Sequence, residues 1–268
     1  MRLYYAGLTE SSEEIQKFAL ENIPNLRVLV SYFSTTVEVA IKKGFQKIFL
    51  DCGAYSAWTK GIKINLEEYT DYCKDLSGKV DVVAALDVIG DGWASLRNWE
   101  YMKMRGIDAI PTFHFGDELE ILDIYSKNAD YIAIGGTVGI PRKHVAEFSS
   151  LVFSKYPSHK FHGFGIQSIQ LLSGLPFYSA DATTWQVGSR FGEVILNSGK
   201  RFKAGKKFQL QDPCIQSEIQ NYLKIEIENG EVDSNLLSCR NILTLYQILV
   251  IEHNKKDFSE FYSHSLLF

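Results

Sequence analysis

Three aspartates stand at the ends of apolar runs. Asp51 closes KIFLD (47–51) and is followed by CGAYS. Asp87 closes VVAALD (82–87) and is followed by VIGDG. Asp181 lies in FYSADAT (177–183). A charge beside apolar sequence is costly unless it is paired, solvated or used. A carboxylate at such a place can accept backbone N–H groups, start a helix or attack an electrophilic carbon. Asp181 before Thr183-Thr184 reads equally well as a helix cap, and Asp51 before Cys-Gly-Ala as the acid of an Asx turn. Other chemistry-bearing residues occupy comparable positions in the same pattern. His114 ends DAIPTFH (108–114), Gly135-Gly136 end YIAIGG (131–136), and His162-Gly163-Phe164-Gly165 lie within KFHGFGI (160–166). Singly these are weak signals. Glycine pairs usually mark turns, a lone histidine is usually structural, and Cys52 reads as a packed thiol. Their joint placement is what points to function.

The elements that must position these residues follow from periodicity. Eight apolar, β-branched or aromatic runs begin near residues 2, 27, 47, 80, 108, 131, 160 and 177. Amphipathic stretches separate most of them, as at 11–22, 65–76, 92–106, 117–128 and 142–156, with a short one at 167–174. Near-continuous apolar strands alternating with helices imply parallel strands covered on both faces. Eight repeats predict a compact (β/α)8 TIM barrel, with a doubly wound open sheet as the competing α/β arrangement. In a barrel, chemistry belongs at the C-terminal ends of the strands. Each residue singled out above falls at that end.

The domain reading is a catalytic barrel over 1–190 followed by a C-terminal part over 191–268. That part opens with SGKRFKAGKKFQL (198–210), in which Lys200, Arg201, Lys203, Lys206 and Lys207 have no acid between them. Such a run is either a solvated face or a phosphate-binding one. PCIQSEIQNYLKIEI (213–227) and SNLLSCRNILTLYQILVIEHN (234–254) then predict helices, the last burying Ile242, Leu245, Ile248 and Leu249. This helical extension is expected to pack on the barrel.

Composition narrows the function classes. The 268 residues are 46% apolar and 13% aromatic, with a formal charge of -4. That balance argues against a generally basic nucleic-acid binder but leaves room for a local basic patch. Cys52, Cys73, Cys214 and Cys239 are scattered without zinc-ribbon or finger spacing, and no metal site is assigned. No apolar run reaches the ~18 residues of a membrane span, and no secretory signal precedes the first run. The expectation is a cytoplasmic enzyme, in the host cytoplasm if phage-encoded, with free thiols.

The order of DCGAYSAW (51–58), ALDV (85–88), AIGGTVG (133–139), FHGFGI (161–166) and SADATTW (179–185) resembles the tRNA-guanine transglycosylase superfamily. It is most similar to the phage and bacterial members that insert 7-deazaguanine bases into DNA. The resemblance covers roughly residues 1–190. It implies that Asp51-Cys52-Gly53-Ala54-Tyr55 corresponds to the family's Asp-Ser/Thr-Gly-Gly/Ala-aromatic segment. It further implies that Asp87, Gly135-Gly136, Gly163-Phe164-Gly165 and Asp181 are the matching positions after later strands. Two departures stand out. The C-x-C-x-x-C…H zinc site of the tRNA enzymes is absent, so no cofactor is expected. Thr183-Thr184-Trp185 replaces the usual Pro-Thr-Arg.

On this resemblance Asp181 is the expected nucleophile and Asp51 the general acid/base. Asp87 would accept the N1–H and N2–H2 donors of guanine. Gly135 and Gly136 would admit backbone N–H groups to the base. Tyr55 would stack on it against a wall of His162 and Phe164, with Gly163 and His114 nearby. Lys200, Arg201, Lys203, Lys206 and Lys207 would hold phosphates. The expected partners are DNA, or alternatively tRNA, and a 7-deazaguanine base such as a nitrile or aminomethyl form. A duplex-opening helper protein or a homodimer partner fits the same reading, and a nucleobase hydrolase on the same barrel is a further alternative.

Overall fold

The computed structural model describes residues 1–166, 168–186, 190, 193–196, 201–203, 217, 221, 227–228, 231–232 and 239–254. Parallel strands β1 (Arg2–Ala6), β2 (Arg27–Ser31), β3 (Lys47–Asp51) and β4 (Val82–Ala84) lie side by side in chain order. The fifth run is cut into β5 (Ala109–Ile110) and β6 (Thr112–His114), and β7 (Tyr131–Gly135), β8 (Lys160–Gly163) and β9 (Ser179–Ala182) complete the sheet. β9 pairs back onto β1, with Asp181 beside Tyr4.

Eight expected strands thus become nine segments, and the reason is Pro111. Proline has no N–H to give a ladder. β5 pairs with β4 and β6 pairs with β7, so the break falls where the ring must close. The proline carbonyl still accepts from Ala133 N at 2.8 Å. The result is a nearly closed parallel barrel with helices between strands.

Side chains alternate across each strand. Tyr4, Ala6, Leu29, Phe49, Ala84, Ile110 and Ala133 point inward and form a small interior core. Their neighbours Leu3, Tyr5, Val28, Val30, Ile48, Leu50, Ile132 and Ile134 point outward into the larger core beneath the helices. The same parity puts Asp51 on the inner face with Phe49, and Asp181 and Ser179 on the inner face with Tyr4.

The main helices match the amphipathic stretches: α1 (Glu13–Asn22), α4 (Leu66–Asp75), α5 (Gly92–Met104), α6 (Leu119–Ser126), α7 (Arg142–Lys155) and α8 (Ile169–Gly174). Caps fix several starts. Asn65 accepts from Glu67 N and Glu68 N, and Asp91 accepts from Ala94 N. Two short helices, α2 (Val37–Lys42) and α3 (Ala54–Thr59), were not expected. Each spans less than two turns, too little for a helical period to show in sequence.

The last helix, α9 (Cys239–Asn254), packs on α1, α8 and the turn at Thr184–Gln186. It buries Leu245, Ile248 and Ile251, whereas Leu249, expected on that face, is only partly buried. Tyr5 Oη donates to Glu252 at 2.7 Å, and Gln247 bonds both the N–H and the C=O of Ile195. A short antiparallel pair, β10 (Glu193–Ile195) with β11 (Arg201–Lys203), stands where only a basic run had been read. A second pair, β12 (Ile227–Glu228) with β13 (Glu231–Val232), takes Ile227 out of the helix expected over 213–227. Apart from Ser217 and Asn221, the rest of that stretch lies outside the described residues.

Candidate active site at the barrel mouth

Asp51, Asp87 and Asp181 meet at the C-terminal end of the barrel. Burial and the charges of Asp87 and then Asp181 push the Asp51 carboxyl up to about 7, against opposing hydrogen bonds from Gly53 N–H and Ser31. Each of the other two carboxylates has a histidine beside it. Among the described residues none stands beside Asp51, and its raised pKa comes first from burial and then from the charges of Asp87 and Asp181.

Asp51 is the last residue of β3, next to Ser31 in register. Its Oδ2 accepts from Gly53 N at 3.1 Å, so the Asx-turn reading of this aspartate holds geometrically. Gly53 has φ +77°, and a Cβ there would lie 2.6 Å from that of Phe33. Only glycine lets the chain turn so tightly after the carboxylate.

Asp87 lies in the loop after β4 and is held from two sides. Cys52 Sγ donates to its Oδ1 at 2.8 Å, and His114 Nε2 sits 2.8 Å from its Oδ2. On its other side His114 faces Asp117, with Nδ1 at 3.3 Å and the backbone N at 2.8 Å from Oδ2. Burial acts to lower the His114 pKa, but the hydrogen bonds and charges of Asp117 and Asp87 outweigh it and raise it to about 9. An imidazolium there offsets one of the two carboxylate charges. Both ring nitrogens of His114 are turned to carboxylates, Nε2 to Asp87 and Nδ1 to Asp117.

Gly135 and Gly136 serve the same cluster. A Cβ on Gly135 would meet Thr112 at 2.8 Å and the His114 ring at 3.1 Å; one on Gly136, with φ +69°, would meet Phe115 N at 3.0 Å. Their missing side chains make room for His114.

Asp181 sits within β9 and caps no helix. Its Oδ1 accepts from Gly165 N at 2.8 Å, across the sheet and not from the turn that follows it. Gly165 adopts φ +64°, a left-handed conformation that turns this N–H onto the carboxylate. His162 Nε2 stands 3.4 Å from the same oxygen.

The other residues expected at the ligand lie at different depths in the barrel. His162 has 0% exposure and lies inside the barrel, packed on Phe49 at 4.6 Å and under Phe164 at 4.6 Å between ring centroids. It cannot form a wall of the mouth, because Phe164 covers it. Gly163 is also buried, and a Cβ there would meet Ile166 at 2.5 Å and Phe177 at 2.8 Å, so it serves the packing of the barrel wall. Phe164 itself is partly exposed and forms a floor. Tyr55, on α3, is 50% exposed at the rim near Trp58, with ring centroids 6.1 Å apart.

Asp117 and Ser179 are the site residues that sequence reading passed over, and Cys52 had been read only as a packed thiol. A signal existed for Gly165, as the second glycine of the G-x-G. Asp117 and Ser179 gave none: Ser179 bonds Tyr131 and His162 on other strands, and Asp117, three residues from His114, matters only because His114 reaches Asp87. Arg201 and Lys203 lie on β11, while Lys200, Lys206 and Lys207 fall outside the described residues.

Among the described residues no group of three or more His, Cys, Asp or Glu is arranged to hold a metal ion, and no helix is long and apolar enough to cross a membrane. The arrangement offers a protonatable acid, a carboxylate fixed at one oxygen, and a hydrogen-bonded acceptor. No family model matches the chain, and no curated protein shows significant similarity to it.

Proposed function

We propose that the protein is a pentosyltransferase that exchanges guanine in DNA for a 7-deazaguanine derivative through a covalent Asp181 glycosyl intermediate. The observation that carries this reading is the meeting of three aspartates at the mouth. Burial first, and then the charges of Asp87 and Asp181, push the Asp51 carboxyl up to about 7. A base-exchange enzyme needs an acid to protonate the leaving purine and an anion to meet the sugar carbon.

In the first half-reaction Asp181 attacks C1′ as Asp51 protonates the departing guanine. The bond from C1′ to N9 breaks, its electron pair stays with the base, and an ester to Asp181 forms. In the second half-reaction the incoming base loses a proton to Asp51 and its nitrogen displaces Asp181. Asp87, fixed by Cys52 and His114, keeps further lone pairs to accept donors from the base edge. Phe164 and Tyr55 offer aromatic faces for stacking. The target base has to leave its stack to reach such a mouth. The choice of DNA over tRNA rests on the missing zinc-site spacing.

The test is a base-exchange assay with labelled guanine on single-stranded DNA, duplex DNA and unmodified tRNA. Wild type is expected to label DNA, single strands fastest, and Asp181→Ala to label nothing. Label in tRNA alone would keep the chemistry and change the polymer. Abasic sites without label would make the protein a hydrolase.

A further inference from the structure

On the glycosyl-transfer reading, we infer that Tyr131, Ser179 and His162 form a hydrogen-bond chain through the barrel that positions Asp181 and helps release the sugar from it. Tyr131 Oη lies 2.5 Å from Ser179 Oγ, which lies 2.6 Å from His162 Nδ1. His162 Nε2 then stands 3.4 Å from Asp181 Oδ1. All four side chains point inward from β7, β8 and β9. Tyr131 is at the far end, on the wall of a cavity of about 470 Å3 opposite the mouth. The chain therefore runs the depth of the barrel.

The charge on Asp181 fixes the direction of every proton in this chain. A bare Nε2 lone pair facing a carboxylate would be repelled, so Nε2 carries the hydrogen. In a neutral ring Nδ1 is then an acceptor. Ser179 donates to Nδ1, and Tyr131 donates to Ser179. Burial lowers the His162 pKa, in keeping with a neutral ring. A chain with one direction polarises its last N–H toward Asp181.

That last N–H is not yet used. His162 Nε2 is fully buried and makes no aligned hydrogen bond at 3.4 Å. Gly165 N and His162 Nε2 both address Oδ1, and among the described residues nothing donates to Oδ2. Oδ2 is the oxygen left to attack C1′. In the ester, Oδ1 becomes the carbonyl oxygen. When the second base displaces Asp181, the bond from Oδ2 to C1′ breaks and its electron pair returns to the carboxylate. Negative charge then builds again on Oδ1, between two N–H donors, as in an oxyanion hole. His162 and its supporting hydroxyls are thus positioning residues whose effect falls on breakdown of the intermediate.

The experiment follows the covalent adduct. A guanine-containing single-stranded oligonucleotide is mixed with enzyme, the adduct is read on a denaturing gel, and free guanine is then added to release it. His162→Phe conserves bulk and removes the donor, and Ser179→Ala removes the hydroxyl that supports Nδ1. We expect adduct to form with both, with release slowed about a hundredfold in the first and about tenfold in the second. Equal release rates in wild type and Ser179→Ala would overturn the chain even if His162→Phe failed to fold. Absence of both adduct and exchange in wild type would instead overturn the glycosyl-transfer reading beneath it.

Discussion

Asp51 is buried beside the charges of Asp87 and Asp181, and its raised pKa follows from that. On the proposed reading its protonated form donates to the leaving base. The rate of adduct formation at limiting substrate should therefore fall as pH rises through about 7. Asp51→Asn should remove this inflection and lower the rate by roughly 10²–10⁴-fold. At high pH the same substitution should raise stability. A carboxyl raised from 3.8 to about 7 on folding favours the folded state fully below pH 3.8, and that contribution is lost as pH rises through 7. Urea unfolding at pH 8 should find Asp51→Asn more stable than wild type, with the gap closing toward pH 4. A gap independent of pH would remove the carboxylate crowding from the explanation. The three aspartates were legible in sequence because charge beside apolar runs is conspicuous. His114 was legible as a residue but not in its contacts, because Asp87, 27 positions away, reaches it only through the fold.

At the scale of elements, strand parity does most of the positioning. Inward-facing Phe49 requires inward-facing Asp51 two residues later, and the pairing of β9 with β1 puts Asp181 beside Tyr4. The turns then set the fine geometry. Gly165 reaches Asp181 only in the left-handed region, which costs a residue with a Cβ about 1–2 kcal/mol. Gly165→Ala should lower stability by that amount, measured by urea unfolding. It should reduce adduct formation by a larger factor than the stability loss explains, because the N–H on Oδ1 moves. Full activity in a destabilised Gly165→Ala protein would show that the contact does not orient the carboxylate. α2 and α3 went unread because they are too short for a period, and the split of the fifth strand went unread because a single proline is also compatible with a continuous strand edge.

At the scale of the whole molecule, the C-terminal helix completes the outer layer. Gln247 bonds the N–H of Ile195 at 2.8 Å and its C=O at 3.2 Å, both buried. This side chain takes the place of a missing strand neighbour. Gln247→Ala leaves two buried backbone groups without that partner and should destabilise the protein by about 2–4 kcal/mol. Denaturant unfolding measures it, and a change below about 0.5 kcal/mol would show that the helix is held by its apolar face alone. Sequence periodicity had placed this helix on the barrel but gave no sign of the glutamine clamp.

The sequence by itself determined the alternation of parallel strands with helices and which end of the strands carries the polar residues. Those properties follow from local periodicity and from the cost of charge near apolar chain, both written along the backbone. Only the tertiary structure decided who touches whom at the mouth. It gave Asp87 to His114 and Cys52, Asp181 to Gly165, and Asp51 to the crowding of both. It also moved His162 from the mouth to the interior beneath Phe164. Most of these contacts join residues on different strands or the loops after them, 16 or more positions apart, and no local pattern encodes them. The proton balance that makes the site chemically distinctive comes into being only when the strands close into a ring.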